Sequence, residues 1–89
     1  MSSGAKILII DDDAEVRYSL NRVLSSRNYE VVSAGSGEEG IKVAADESPE
    51  VILLDLTLPD VEGMDGLLRI RRLARDTPVV VISSLEENR

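Results

Sequence analysis

Short runs of consecutive apolar residues recur along the chain and are rich in branched side chains: KILII, YEVVSA, VILLD and PVVVIS. Continuous rather than alternating apolarity is typical of strands that are covered on both faces, as in a parallel sheet. We therefore predict four strands, which cover about residues 5–10, 29–34, 51–55 and 78–83.

Segments with helical spacing separate these strands. The first begins near Asp12 or Asp13 and carries one apolar stripe, formed by Val16, Leu20, Val23 and Leu24. Ser36 followed by Glu39 is a capping box, which marks the start of the second helix. In the third segment one helix face is shared by Met64, Leu67, Leu68 and Arg71. The predicted helices cover about residues 13–28, 37–47 and 64–75.

Strands and helices alternate along the 89 residues, which is typical of a single α/β domain. Right-handed crossovers make the predicted fold a doubly wound, flavodoxin-like parallel sheet with strand order 2-1-3-4. In such sheets, ligands bind beyond the carboxyl ends of the strands, where the strand order reverses. We therefore expect a site between the first and third strands.

Carboxylates follow both of those strands: Asp11, Asp12 and Asp13 after the first, and Asp55 at the end of the third. Their mutual repulsion would raise their pKa values unless a cation lay among them, and Mg²⁺ prefers such oxygen ligands. Taken singly, Asp12 with Glu15 would also form a capping box, and Asp55 would also suit a bond to a backbone amide. The expected convergence of the acids favours the metal site.

The composition limits which binding partners and which reactive side chains the chain can use. Seventeen Asp and Glu against ten Lys and Arg give a net charge of −7, which argues against direct contact with nucleic acid or anionic lipid. Without Cys or His, any chemistry falls to carboxylates, hydroxyls, Lys and Arg. No apolar run is long enough for a membrane span, and the first residues do not resemble a signal peptide. We expect a cytoplasmic protein.

The segments ILIIDDD, VILLDLTLPDVEG and TPVVVISS resemble the receiver domain of two-component response regulators, and the resemblance covers nearly the whole chain. It implies a signalling domain rather than an enzyme, in which Asp55 accepts a phosphoryl group from a histidine kinase or phosphotransfer protein. It also implies that Mg²⁺ is held by Asp11, Asp12, Asp55 and the backbone carbonyl of Thr57. Ser83 would be the switch hydroxyl that turns toward the phosphoryl group.

The family pattern continues beyond this chain with a helix, a fifth strand that ends in a site lysine, and a last helix. We therefore expect residues 1–89 to form a partial receiver domain without these elements, since Lys6 and Lys42 do not match that lysine. An uncovered fourth strand would offer an apolar edge for a homodimer. Two alternatives stay open: an inert, self-associating receiver fragment, and an Mg²⁺ phosphohydrolase whose nucleophile is the acid after the first strand.

Overall fold

The structure is a computed structural model, and it describes residues 4–55, 58, 64–73 and 75–82. Its elements are, in chain order, β1 (Lys6–Ile10), α1 (Ala14–Ser25), β2 (Glu30–Ala34), α2 (Gly37–Glu47), β3 (Val51–Asp55), α3 (Met64–Leu73) and β4 (Val79–Ile82). All strand pairs are parallel, and the sheet has the order β2-β1-β3-β4. The predicted fold class and strand order are confirmed.

The core lies on the face of the sheet that α2 and α3 cover. Leu8 lies beside Val32 and Ile52, and Ile10 lies beside Leu54, so these side chains share that face. Burial of each large aliphatic side chain contributes about 1.5–3 kcal/mol. The buried members of this aliphatic core are Leu8, Ile10, Ala34, Ile52, Leu54, Leu58 and Ile70.

Helix α1 is shorter and less covered than the sequence pattern predicts. It ends at Ser25, and Asn28 has a φ of 71°, a left-handed conformation that ends a helix and that Asn tolerates better than most residues. The predicted end near residue 28 is therefore wrong. Val23 was predicted to lie on the apolar stripe but is 56% exposed, because among the described residues α1 has its main contact with β2 and Val23 lies away from it.

Helix α2 begins as the capping box predicts, with one difference. The Ser36 hydroxyl accepts a hydrogen bond from the Glu39 amide at 3.1 Å. The Glu39 carboxylate reaches the amide of Gly35 at 2.9 Å and thus ties the preceding loop to the helix. A Cβ at Gly40 would overlap the Ile10 side chain, so glycine lets α2 approach β1 closely.

Helix α3 contributes Ile70 to the core. Leu68 is 49% exposed and Arg71 is also exposed, whereas Ile70 is 2% exposed and belongs to the core. Strand β4 is the last strand among the described residues, and its Val80 and Val81 are about half exposed. No helix in the described part of the chain is long and apolar enough to cross a bilayer.

Candidate functional site

The parallel pairing of β1 with β3 brings two separate acids to one edge of the sheet. Ile10 and Leu54 are partners in the register, so Asp11 and Asp55, each one residue further along, lie side by side at the carboxyl ends of the two strands. Strand β2 lies on the far side of β1, and β4 lies on the far side of β3. The two acids therefore stand at the point where the strand order reverses, which is where sheets of this class bind ligands.

Three carboxylates converge at this edge. Asp11, Asp12 and Asp55 each place one carboxylate oxygen within 4.8 Å of the other two. Asp11 is 5% exposed and Asp55 is 7% exposed, whereas Asp12 faces solvent. Carboxylate oxygens on rigid strand ends are the ligands that a hard divalent cation such as Mg²⁺ prefers. These side chains fit the metal site that the sequence predicts.

Asp11 is held by hydrogen bonds through its side chain and its backbone. Its carboxylate accepts from the Asp13 amide at 2.9 Å, and its own amide donates to the carbonyl of Ala34 at 3.1 Å. Its carbonyl accepts from the Arg17 guanidinium at 2.7 Å. Together these bonds fix the first residue after β1 against β2 and α1, so the carboxylate has a defined position.

The same carboxylate lies in an unfavourable electrostatic environment. Burial raises the pKa of Asp11 above its usual value of 3.8, and the carboxylates of Asp55, Asp12 and Asp13 raise it further. The hydrogen bond from the Asp13 amide opposes this rise in pKa. A divalent cation among the acids would favour the ionised form, as cations do beside carboxylates.

Asp13 has the capping role that the sequence also allowed for Asp12. Its carboxylate accepts a hydrogen bond from the Glu15 amide at 2.9 Å, and Asp13 is the N-cap of α1. The capping interpretation of Asp12 is therefore wrong. Because its neighbour caps the helix, the Asp12 carboxylate is available to lie with those of Asp11 and Asp55.

Two predicted site residues lie outside the described part of the chain: Thr57, with its backbone carbonyl, and Ser83, with its hydroxyl. One residue of the site's surroundings was missed by the sequence patterns. Arg17 was not singled out, although it stands four residues after the cap of the helix that follows the acids. Nothing in its spacing indicates that its side chain turns back to the Asp11 carbonyl.

Comparison with known proteins agrees with this geometry. The model of the response regulator receiver domain family matches residues 7–89. The chain therefore belongs to this family and is a receiver domain of the two-component response regulators, which are signalling proteins. The cluster of Asp11, Asp12 and Asp55 fits the phosphoacceptor site of such a domain.

Curated relatives are regulators that are longer than this chain. The probable transcriptional regulator ycf27 of Porphyridium aerugineum is 37% identical over 82 residues, which are 92% of this chain and 34% of that protein. The transcriptional regulatory protein PrrA of Mycobacterium tuberculosis is 34% identical over 92% of this chain and 35% of its own length. The chain thus spans about a third of the length of these relatives.

Solved receiver domains have the same fold. A CheY-like response regulator receiver domain protein from Methanospirillum hungatei superimposes with a TM-score of 0.83 at 32% identity, over 94% of this chain and 70% of that one. The response regulator TrrA from Thermotoga maritima, solved in complex with Mg²⁺ and BeF, gives a TM-score of 0.81 at 26% identity. That match covers 92% of this chain and 71% of TrrA.

Proposed function

We propose that this chain receives a phosphoryl group on Asp55 and that Asp11 and Asp12 hold the Mg²⁺ ion that the transfer needs. The observation that carries the proposal is the convergence of three carboxylates where the strand order reverses. Two of them are almost fully buried at the ends of adjacent strands, which favours a preorganised site over a solvated acidic surface. Membership of the receiver family supports the same roles.

The transfer would use the Asp55 carboxylate as the nucleophile. One of its oxygens forms a P–O bond to the phosphorus of a phosphohistidine while the P–N bond breaks, and the imidazole nitrogen keeps the electron pair. Bound Mg²⁺ would screen the negative charges of the carboxylate and the phosphoryl group. Strand β3 holds the nucleophile in a fixed place, since Asp55 pairs with Ile82 of β4 as the last residue of its ladder.

Two further roles belong to the proposal. We assign the backbone carbonyl of Thr57 to the metal shell and the Ser83 hydroxyl to a bond with the transferred phosphoryl group. Thr57 follows Asp55 by two residues, and Ser83 follows the strand that pairs with β3. A hydroxyl that moves to bond the new phosphoryl oxygens would convert the modification into a change of surface.

The partner that supplies the phosphoryl group is, in this proposal, a histidine kinase or a phosphotransfer protein in the cytoplasm. The net charge of −7 argues against direct contact of this domain with nucleic acid or with an anionic membrane. The names of the relatives suggest that a longer regulator transmits the signal to transcription. That output would belong to the two thirds of the relatives that this chain does not span.

The proposal includes a homodimer that forms through β4. Val80 and Val81 are 48% and 47% exposed, and β4 is one of the two end strands of the described sheet. Unpaired strand edges with apolar side chains favour pairing with a second chain. Sedimentation velocity over a range of protein concentrations tests the dimer, and a monomer at every concentration would contradict it.

Intact-mass spectrometry tests the proposed phosphoacceptor. The chain is incubated with Mg²⁺ and a small acyl-phosphate donor, and the wild type is compared with Asp55→Asn and Asp46→Asn. Asp46 is an exposed acid on α2 and is the matched control. We expect a single-phosphate adduct on the wild type and on Asp46→Asn, and no adduct on Asp55→Asn. Equal labelling of Asp55→Asn would refute the assignment.

A further inference from the structure

The Arg17 side chain joins three parts of the fold beside the acidic site. Arg17 lies in the second turn of α1, and its Nη1 donates a hydrogen bond of 2.7 Å to the carbonyl of Asp11. The Asp11 amide is bonded to Ala34 at the end of β2. The guanidinium therefore reaches back across the first turn of its own helix to Asp11, the first residue after β1.

The same guanidinium packs against the loop between β2 and α2. A Cβ at Gly35 would stand 3.3 Å from Arg17 Nη1 and 3.8 Å from its Cζ, so an alanine there would press on the guanidinium by a few tenths of an ångström. The Gly35 amide is in turn bonded to the Glu39 carboxylate at 2.9 Å. The loop that receives Arg17 is thus itself tied to the start of α2.

We propose that Arg17 is a positioning residue for the metal site, which it serves by holding the Asp11 backbone and not by pairing with a carboxylate. This inference rests on the proposed function of the acidic cluster. Asp11 and Asp12 are adjacent, so a shift of the Asp11 peptide group would move both carboxylates relative to Asp55. Groups that orient metal ligands in this way are worth about tenfold to a hundredfold in metal affinity.

The proposal predicts the opposite sign to simple electrostatics. Arg17 carries a positive charge beside a site for a cation, and Coulomb repulsion alone would make its removal tighten the binding of Mg²⁺. Loss of the positioning bond would instead weaken Mg²⁺ binding. The direction of the change in affinity therefore separates positioning from charge.

The test measures the Mg²⁺ dissociation constant of the full chain by isothermal titration calorimetry, together with the thermal midpoint in EDTA. The variants are Arg17→Ala, Arg17→Lys and Gly35→Ala, and Arg22→Ala is the control. Arg22 lies further along the same helix and stacks on Tyr18 at 5.8 Å, so its variant removes an equal charge without touching the acids. Gly35→Ala keeps the charge of Arg17 but crowds the guanidinium.

We expect Arg17→Ala to weaken Mg²⁺ binding by about tenfold or more, and Arg17→Lys to recover part of the loss through its single ammonium group. Gly35→Ala presses only lightly on the guanidinium and should weaken binding less. If Arg17→Ala does not fold, Arg17→Lys carries the test and should bind Mg²⁺ more weakly than the wild type. Arg22→Ala should leave the affinity unchanged. Unchanged or tighter binding by folded Arg17→Ala, or by Arg17→Lys in its place, would overturn this inference and leave the proposed function standing. A wild type that binds no Mg²⁺ would overturn the proposed function as well.

Discussion

The acids at the two ends of the central strands have different neighbours: a lysine at the amino end and other acids at the carboxyl end. At the amino end, Lys6 lies among glutamates: its ammonium donates to Glu47 at 2.7 Å and lies 3.8 Å from Glu30, and its amide donates to Glu50 at 2.7 Å. At the carboxyl end, Asp11, Asp12 and Asp55 converge on one another. The first arrangement pairs acids with a cation of the chain, and the second gathers acids at the place where we propose that Mg²⁺ binds.

The pKa shifts show the same contrast. The hydrogen bond to Glu47 raises the pKa of Lys6, so its charged form is favoured by folding. Burial raises the pKa of Asp11, so its charged form is opposed by folding. At neutral pH the amino end therefore contributes stability, whereas ionisation of Asp11 at the carboxyl end opposes it. Such a conflict between stability and side-chain placement is typical of functional sites.

The largest loss of stability is expected from a substitution in the buried part of a central strand. Leu54 is fully buried beneath the acidic edge, and Leu54→Ala should lower the free energy of unfolding by about 2–5 kcal/mol in urea denaturation. Val80→Ala, on the half-exposed edge strand, is the control and should lower it by about 1 kcal/mol or less. Equal losses of unfolding free energy in the two variants would contradict the observed difference in burial between Leu54 and Val80.

Addition of Mg²⁺ should stabilise the folded chain through the carboxyl end only. At a free concentration of 100 times the dissociation constant, the gain is about 2.7 kcal/mol. Asp11→Asn should lose most of this gain, and Glu47→Gln should keep it, because Glu47 bonds to Lys6 at the other end. Thermal unfolding with and without Mg²⁺ measures both. If Glu47→Gln lost as much of the Mg²⁺ stabilisation as Asp11→Asn, the distinction between the two ends of the strands would be wrong.

The acidic edge should also destabilise the metal-free chain in a pH-dependent way. The folded pKa of Asp11 lies above the unfolded value of 3.8, so the native state binds the proton more tightly and loses this advantage as the pH rises through the folded pKa. Asp11→Asn should therefore be more stable than the wild type at pH 7 in EDTA, and the difference should disappear below pH 3.8. Urea denaturation across this range measures the difference, and a variant that is less stable at pH 7 would contradict the account.

The smallest effect is expected at Lys6, whose side chain is partly exposed. Lys6→Met should lower the stability at pH 7, because the raised pKa of Lys6 gives a contribution that is present below pH 10.5 and is lost as the pH rises through the folded value. Salt screens such pairs, so the difference between wild type and variant should shrink in 1 M NaCl. A difference that is independent of salt would point to packing of the methylene groups instead.

Much of the fold could be predicted because its determinants are local. The continuous apolar runs of β1 and β3 and the capping serine of α2 indicate strands and a helix start before any tertiary contact is known. The end of α1 could not be predicted, because it depends on the left-handed backbone at Asn28. The exposure of Val23 and Leu68 could not be predicted either, because it depends on which neighbours cover each helix.

The candidate site divides in the same way. The spacing of acids after two strands predicted the convergence of Asp11 and Asp55, because parallel strands deliver their carboxyl ends to one edge. Two features were not predictable. Asp13, not Asp12, caps α1, and the Arg17 side chain turns back to the Asp11 carbonyl. Both depend on the course of the loop between β1 and α1, which the residue pattern does not specify.

The most direct test of the central claim is to locate the phosphoryl group at residue level. The chain is labelled with a small acyl-phosphate donor and Mg²⁺ and then reduced with borohydride, which converts an aspartyl phosphate to homoserine, and the product is read by tandem mass spectrometry. We predict homoserine at position 55 alone, and none without Mg²⁺. Homoserine at position 11 or 12 instead would contradict the account and favour a nucleophile after β1.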